Sequence, residues 1–246
     1  MKNQALYGNF TSKKQVATLV RLKIRGWENV PQSWIKQLQI KKRTKMSKVL
    51  YIKANAKLKG ESRTSKISDS LFEKYKVINP DDEITILDLY EENLQFLPKG
   101  KIQELRNVSE GNGKNHPILK YAYQFREADK YIISEPIWNL GIPAILKAYI
   151  DYIAVGGITF TYTEHGPVGL CKNKKAVNII TRGGDYSSEP MESLEMADKY
   201  LRNIFRFLGI TDFTTIAADR LDIITEDTEK LLNNAIVKAE EVALAF

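Results

Sequence analysis

Several features that are common in other protein classes are scarce or missing in this chain of 246 residues. It has one cysteine, Cys171, so no disulfide can form within the chain, as is typical of a reducing compartment such as the cytoplasm. No apolar run reaches the roughly 20 residues of a membrane span. Neither a G-x-G-x-x-G fingerprint nor a Walker lysine pattern is present, which argues against a Rossmann dinucleotide site and a nucleoside-triphosphate site. We therefore expect a cytoplasmic protein without a membrane segment.

The net charge of +7 belongs to the N-terminal segment and not to the chain as a whole. Residues 1–45 contain eleven Lys or Arg and a single acid, Glu28, whereas residues 46–246 carry a net charge of −3. The overall positive charge is therefore not evidence that the whole protein binds nucleic acid, because the excess of basic residues lies in this segment alone. We do not expect residues 46–246 to bind nucleic acid.

Residues 1–45 are predicted to be a basic extension that precedes a single folded domain at residues 46–246. Arg21, Lys23 and Arg25 interrupt the best candidate for the apolar core of a secretory signal. A transit peptide, or an arm for nucleic acid or anionic lipid, stays open for so basic a segment. Because Met46-Ser-Lys-Val-Leu reads like a natural start, we favour translation from Met46. If the extension is made, we expect it to be disordered.

From Lys48 onward, short apolar segments alternate with segments of helical periodicity. The predicted strands cover residues 49–53, 83–89, 130–134, 176–181 and 213–217. The predicted helices cover residues 62–75, 118–127, a stretch from Pro143, 190–208 and 225–243, the last with Thr225 as its N-cap. Residues 156–162 alternate apolar and polar side chains, which predicts a small hairpin, and residues 90–115 are predicted to be a long irregular loop.

Five strands that alternate with five helices predict an α/β fold, in which a parallel sheet carries helices on both faces. The expected strand order is 2-1-3-4-5, the flavodoxin-like form of the doubly wound fold. In this form the order of the strands reverses between strands one and three. A ligand is expected beside the carboxyl ends of those two strands.

A loop at the predicted carboxyl end of strand one, residues 54–65, brings hydroxyl groups to the start of a helix. Hydroxyls and the free amides of a helix N-terminus bind phosphate well. Plain capping of the helix by Ser62 or Thr64 also explains the pattern, and for this loop alone capping is the better explanation.

Two further loops follow strands three and four. The loop at residues 136–141 contains Trp138 and Asn139, and the indole is suited to stack beside a planar cofactor. An aromatic core residue beside a tight turn fits this pattern equally well. The loop at residues 181–186 has paired glycines, whose amides either face a ring system or form an ordinary turn. The combination of three such loops around the same sheet edge favours a ligand site.

Four segments of the chain resemble one known family. They are residues 48–55 with 61–64, residues 136–147, residues 157–167 and residues 181–184. In this order they resemble the FMN-dependent NADH-azoreductases, which are also called FMN-dependent NADH:quinone oxidoreductases. The resemblance covers residues 46–246 and rests on the ordered set, because no single motif is decisive.

The resemblance implies an FMN site with assigned parts and without a metal. The phosphate and ribityl end would be held by Asn55, Ser62, Arg63 and Thr64. One side of the isoalloxazine ring would be lined by Ile137, Trp138, Asn139 and Leu140, and its other edge by Thr181, Arg182, Gly183 and Gly184. Family members are homodimers with sites at the interface, so Phe160 would lie over the flavin site of a partner subunit.

The resemblance also implies a mechanism in which the flavin does the redox chemistry and no side chain acts as acid or nucleophile. NADH would reduce the flavin, and a quinone or an aromatic azo compound would then be reduced at the same site. His165 is therefore expected to be a surface or interface residue, and Cys171 a buried structural thiol. Leu140 stands where family members often carry Phe, Asn55 where some carry Ser, and Asp185 where substrate-side residues vary, which leaves the acceptor open.

Other functions on the same fold stay as alternatives. A flavodoxin-type electron carrier would bind FMN without a small-molecule substrate of its own. The loop at 90–115 and the hairpin at 156–166 argue against a carrier, because they are suited to build a substrate pocket and a dimer contact. A receiver-type signalling domain needs an acidic cluster near the end of strand one, where this chain has Lys53, Ala54 and Asn55. A nucleic-acid function would rest on the basic extension.

Overall fold

A computed structural model describes residues 46–58, 60–100 and 115–246. The predicted extension at 1–45 and most of the predicted loop at 90–115 lie outside these ranges. The described parts of that loop contain turns but neither helix nor strand. From Ser47 on, the described residues belong to one compact unit. Within the three described ranges, no helix combines the length and the apolar character that crossing a membrane requires.

Seven strands and five α-helices make up the described part of the chain. The strands are β1 (Lys48–Lys53), β2 (Glu83–Asp88), β3 (Lys130–Pro136), β4 (Phe160–Thr163), β5 (Gly166–Gly169), β6 (Lys175–Thr181) and β7 (Asp212–Ala218). The helices are α1 (Arg63–Ile78), α2 (Lys120–Glu127), α3 (Ala144–Ile153), α4 (Ala197–Phe207) and α5 (Thr228–Ala243). Five strands form a parallel sheet in the order β2-β1-β3-β6-β7, which confirms the predicted 2-1-3-4-5 arrangement.

The sheet is buried on both faces because its central strands are apolar at consecutive positions. Leu50 and Ile52 of β1 belong to the core that lies under α2, α3 and α4. Val49 and Tyr51, which point to the opposite face, belong to the core under α1 and α5. This two-sided burial explains why strands one, three and four read as continuous apolar runs.

Polar contacts fix α1 on the sheet and bring its first turn to the strand ends. Ser62 caps the helix, since its Oγ accepts a hydrogen bond of 3.0 Å from the amide of Ser65. Further along, Ser68 Oγ shares a hydrogen bond of 2.9 Å with Ser134 Oγ. Thr64 Oγ1 shares one of 2.6 Å with Thr181 Oγ1, which ties the first turn of α1 to the end of β6.

The hairpin β4–β5 lies outside the main sheet and begins later than the alternation at 156–162 predicts. Thr159 is buried, and its Oγ1 donates a hydrogen bond of 2.6 Å to the carbonyl of Ile153, so the residues before Phe160 form a turn. The hairpin packs closely on the end of α4. A Cβ on Gly169 would lie 2.2 Å from the backbone of Gly209, which leaves room only for glycine.

Two predicted helix boundaries are wrong. The continuous helix at 190–208 is instead a short 3-10 turn at Met191–Leu194 followed by α4. Glu195 separates them. Its Oε1 accepts hydrogen bonds from the amides of Ala197 and Asp198, so it satisfies the first amides of α4 from the residue before the N-cap, Met196. The last helix is capped by Asp227 and not by Thr225, since Asp227 Oδ1 accepts a 3.0 Å hydrogen bond from the amide of Lys230.

Candidate functional site

A cleft lies where the loops after β1, β3 and β6 meet at the carboxyl edge of the sheet. It encloses about 510 Å³, part of which is open to solvent. Nine of the twelve residues predicted to bind FMN line this cleft: Asn55, Ser62, Arg63, Thr64, Ile137, Trp138, Thr181, Arg182 and Gly183. The other three follow directly in the chain, Asn139 and Leu140 after Trp138 and Gly184 after Gly183. The cleft is also lined by Lys57, Pro136, Leu221 and Asp222, which the sequence analysis did not assign to it.

Hydroxyl and amide groups form one end of the cleft, at the start of α1. Asn55 Nδ2 donates a hydrogen bond of 2.7 Å to Ser62 Oγ, the same atom that caps the helix. Capping is therefore confirmed as a role of Ser62. Because this oxygen accepts both bonds, its own proton is still available as a donor. Capping and phosphate binding are thus compatible at this position, since the positive end of the helix dipole favours an anion there.

Arg63 bridges this end of the cleft to the segment that follows β7. Its Nη1 donates to the carbonyl of Leu221 at 2.9 Å and to Asp222 Oδ1 at 2.7 Å. Both side chains of the ion pair are well exposed, Arg63 by 37% and Asp222 by 67%. No local pattern in the sequence marks Asp222, because its proximity to the cleft follows from the position of β7 beside β6.

The loop after β3 is a two-residue turn. Trp138 and Gly141 exchange two backbone hydrogen bonds, of 2.9 and 3.0 Å. Between them, Asn139 and Leu140 have φ angles of 49° and 71°, as in a type I′ turn. A left-handed conformation is tolerated by Asn but is unusual for Leu. The carbonyl of Leu140 accepts a 2.9 Å hydrogen bond from the amide of Met196, which supports the turn from behind.

This turn carries an indole that lines the cleft and, directly after it in the chain, the amides of two residues. Trp138 is 37% exposed, so it is not the core residue that its sequence context also allowed. The amides of Asn139 and Leu140 donate no hydrogen bond to any residue that the structure describes. Amides left without a protein partner at the tip of a turn are available to hydrogen-bond a ligand.

The loop after β6 is fixed by the segment after β7. The carbonyl of Arg182 accepts a hydrogen bond of 3.2 Å from the amide of Leu221. The carbonyl of Gly183 accepts one of 3.0 Å from the amide of Asp222, and that of Gly184 one of 2.9 Å from the amide of Arg220. Among described residues, the amides of Gly183 and Gly184 have no acceptor and remain available. A Cβ on Gly183 would lie 2.4 Å from Asp222 Oδ2, so the exposed side chain of Asp222 would have to turn away from any larger residue at this position.

The guanidinium of Arg182 lies in a buried cluster of charges. Its Nη1 lies 3.3 Å from Asp219 Oδ1 and its Nη2 lies 3.6 Å from Glu195 Oε1. Burial raises the pKa of the Asp219 carboxyl, and the Arg182 guanidinium opposes that shift. These carboxylates hold the guanidinium of Arg182. Its backbone is also engaged, since its amide donates to the carbonyl of Ala218 at 2.9 Å and its carbonyl accepts from the amide of Leu221 at 3.2 Å.

Glu135 lies fully buried in β3, one residue before Pro136 of the cleft wall. Asn178 Nδ2 lies 3.3 Å from Glu135 Oε1 and 3.1 Å from Asp198 Oδ1. Burial raises the pKa of the Glu135 carboxyl well above its ordinary value, which favours the protonated form of this group. The sequence signal for such a group is an acidic residue that directly continues a buried strand.

Neither of the two reactive side chains considered from the sequence lines the cleft. His165 is exposed on the hairpin, where its Nε2 lies 3.4 Å from Glu164 Oε1. Cys171 is a buried free thiol whose pKa is raised to about 11 by burial. In the described ranges, no group of three or more His, Cys, Asp or Glu side chains is arranged to hold a metal ion.

Phe160 lies inside its own subunit. It is 8% exposed, and the centroid of its ring lies 4.7 Å from that of Phe207 and 5.4 Å from that of Tyr162. Tyr162, which the sequence analysis did not single out, is the more exposed ring of this hairpin at 73%. The contact of Phe160 with the flavin site of a partner subunit stays a prediction.

The donors around the cleft fit FMN in their chemistry and order. Hydroxyls, an amide and a guanidinium stand at the α1 end and suit a phosphate. At the other end, an exposed indole and the partnerless amides of two loops suit a planar ring with polar edges. Asp222 is the one acidic residue among the described residues that line the cleft.

Comparison with known sequences supports this assignment. The profile of a family described by its flavodoxin-like fold matches residues 47–243. Over 201 residues, the chain is 62% identical to FMN-dependent NADH:quinone oxidoreductase 2 of Clostridium acetobutylicum and 54% identical to FMN-dependent NADH:quinone oxidoreductase of Caldicellulosiruptor saccharolyticus. Each alignment covers 82% of this chain and 100% of the relative.

Solved structures show the same similarity. An azoreductase from Bacillus anthracis superposes with a TM-score of 0.75 at 35% identity, over 82% of this chain and 100% of that one. An FMN-dependent NADH-azoreductase from the same species, solved in complex with FMN, superposes with a TM-score of 0.71 at 29% identity, over 80% and 97% of the two chains.

Proposed function

The chain belongs to the flavodoxin-like family of these oxidoreductases, and we propose that the cleft is the FMN site of an NADH:quinone oxidoreductase that also cleaves aromatic azo compounds. FMN is the cofactor and NADH the electron donor of this enzyme. The observation that supports the site most strongly is the convergence of three loops on one cleft. Two of these loops bring amides without a described partner, and the third brings phosphate-binding groups.

The two ends of the cleft would hold different parts of the cofactor. Ser62, Thr64 and Asn55 would receive the phosphate and ribityl chain with the help of Arg63, next to the positive end of α1. The turn that carries Trp138 would lie along one side of the ring. The amides of Gly183 and Gly184 would face its other edge, with Thr181 at the base of that loop.

Bound FMN supplies the hydride-accepting and hydride-donating chemistry, and the protein supplies orientation and electrostatics. The turn amides of Asn139 and Leu140 have no acceptor among the described residues and would be available to donate hydrogen bonds to negative charge on the bound ring. Ile137 and Trp138 shield one side of the site from water, and Trp138 offers a surface against which a planar substrate can lie. No side chain of the chain is needed as acid, base or nucleophile in this scheme.

A single stacking surface would serve both substrates in turn. NADH would bind, transfer its hydride and leave as NAD⁺, and the acceptor would then take the same place, which is a ping-pong sequence. A quinone would take the two electrons of one such round, with two protons, to become the hydroquinone. Cleavage of an azo bond to two amines takes four electrons and four protons, so it would consume two NADH in two rounds. We place this activity in the cytoplasm, in keeping with a single buried thiol that forms no disulfide.

The working unit would be a homodimer. The hairpin β4–β5 stands outside the main sheet and presents Tyr162 to its surroundings. In the dimer, Phe160 of one subunit would lie over the flavin site of the other. Sedimentation of the FMN-loaded protein tests the oligomeric state, and a monomer would contradict this part of the proposal.

A reduction experiment separates the enzyme from a flavodoxin-type carrier. Protein loaded with FMN is mixed anaerobically with NADH, and the absorbance of the oxidised flavin is followed before and after addition of a soluble benzoquinone. The enzyme predicts rapid bleaching by NADH and rapid recovery with the quinone. Failure of NADH to bleach the bound flavin would support a carrier. The order of binding is tested by double-reciprocal plots of the initial rate against NADH concentration at several fixed quinone concentrations. Parallel lines would support the ping-pong order, and intersecting lines would contradict it.

A further inference from the structure

Arg63 and Asp222 form an ion pair at the end of the cleft where the proposed function places the cofactor phosphate. They are far apart in sequence, and both line the cleft. Arg63 is the first residue of α1 and follows Ser62, whereas Asp222 follows β7. An acidic side chain at this place requires an explanation, because a flavin phosphate brings one or two further negative charges to the same end of the cleft.

The carboxylate of Asp222 is not needed to hold either partner in place. The backbone amide of Asp222 donates to the carbonyl of Gly183 at 3.0 Å, which fixes the segment independently of the side chain. Arg63 Nη1 donates to the carbonyl of Leu221 at 2.9 Å, a contact that would survive removal of the Asp222 charge. Arg63 is thus kept at the cleft by a backbone acceptor.

The guanidinium also has donors left for a ligand. The hydrogen bonds that the structure shows for Arg63 both use Nη1, whereas an arginine carries five N–H donors in all. The pair is exposed on both sides, and exposed ion pairs are weak enough to be exchanged for a better acceptor. A phosphate that reaches Nη2 or Nε would therefore share Arg63 with Asp222, while the two anions repel each other.

We propose that Asp222 competes with the flavin phosphate for Arg63, and thereby lowers the affinity for FMN without lowering the affinity for a flavin that has no phosphate. This inference rests on the proposed FMN site and adds a specificity-determining residue to it. Asp222 lies against Gly183 and pairs with Arg63. It is therefore close both to the glycine loop after β6 and to the residues proposed to bind the phosphate. Asp222 thereby reduces the ratio of the affinity for FMN to the affinity for riboflavin. It also allows bound FMN to dissociate more readily.

The test compares the dissociation constants of FMN and riboflavin, measured by quenching of flavin fluorescence, for wild type and three variants. Asp222→Asn keeps the shape of the side chain and removes its charge, and we expect it to bind FMN about tenfold more tightly. Riboflavin binding should stay within about twofold of wild type. Arg63→Gln should weaken FMN and leave riboflavin unchanged. Glu226→Gln is the matched control, because it removes an equal charge from the nearby Arg220–Glu226 pair, which does not line the cleft.

The outcomes separate failure of this inference from failure of the proposed function. If wild type binds neither flavin, the proposed FMN site is wrong and the inference is wrong with it. If wild type binds both flavins but Asp222→Asn weakens FMN, then Asp222 positions Arg63 instead of competing for it. An equal change for both flavins in Asp222→Asn, or the same gain for FMN in Glu226→Gln, would also overturn the inference. The supporting result is a gain specific to FMN in Asp222→Asn alone.

Discussion

Arg63 and Arg182 both line the cleft, yet their guanidinium groups lie in opposite environments. Arg63 is exposed and pairs with the exposed Asp222. Arg182 is buried and pairs with two carboxylates of low exposure, Asp219 and Glu195. A buried charge must keep its partners because removing one leaves the others desolvated and unpaired. An exposed charge can exchange partners at little cost. The exposed arginine is therefore suited to a ligand, and the buried one to holding the loop.

The largest expected effect breaks the buried pair. Arg182→Met should lower the free energy of unfolding by about 3 kcal/mol, because it leaves Asp219 and Glu195 without their cation. The matched change Arg63→Met should lower it by less than about 1 kcal/mol. Urea unfolding of the two variants in the absence of flavin measures both values. Equal losses would show that the two arginines do not differ in the way their burial indicates.

A smaller effect is expected where the two regions meet, at Gly183. Gly183→Ala places a Cβ on the carboxylate of Asp222 and should cost about 0.5–1.5 kcal/mol of stability, because the exposed Asp222 side chain must leave its present rotamer. Gly184→Ala is the control, since the nearest atom to its Cβ is in Tyr186 at 3.4 Å. Gly183→Ala combined with Asp222→Ala should recover most of the loss, because the clashing carboxylate is gone. No recovery in the double variant would mean that the backbone, and not Asp222, opposes the added methyl group.

The smallest effect concerns the buried carboxyl of Glu135 and appears only as a dependence on pH. Because the pKa of Glu135 is raised by burial, the folded protein keeps a proton that the unfolded chain releases as the pH rises past its ordinary range. The stability contributed by this proton is complete below the unfolded pKa and is lost as the pH approaches the folded pKa. Glu135→Gln keeps the shape and does not titrate. The variant should gain stability relative to wild type as the pH rises, and match it most closely in acid.

Urea unfolding of wild type and Glu135→Gln at several pH values between about 5 and 9 tests this sign. A difference in stability that does not change with pH would show that Glu135 does not titrate abnormally. Asp185→Asn is a suitable control for the method. Hydrogen bonds from Ser187 lower the pKa of this exposed carboxylate, so its small effect would appear at acidic pH instead.

Much of the fold could be predicted from the sequence because its signals are local. The strands are short apolar runs. Consecutive apolar residues such as Val49 and Leu50 point to opposite faces of the sheet, so they indicate burial on both faces. The connections between them follow from helical periodicity and from caps such as Ser62. The order of the strands, and with it the edge where three loops meet, then follows from general rules for parallel sheets.

What could not be predicted depends on contacts between distant segments. The direction of the Arg182 side chain is decided by Asp219 and Glu195, and the approach of Asp222 to Gly183 by the position of β7. The break at Glu195 and the cap at Asp227 were missed because several residues in each segment are acceptable caps. In each case local propensity left more than one solution, and tertiary contacts selected one.

The most direct test of the whole account is a crystal structure of the chain with FMN. We predict the phosphate within hydrogen-bond distance of Ser62, Thr64 and Arg63, and the ring between the turn of Trp138 and the amides of Gly183 and Gly184. The guanidinium of Arg182 should stay with Asp219 and Glu195, as it does here. A flavin bound outside this cleft, or one whose phosphate lies at the glycine loop, would contradict the account.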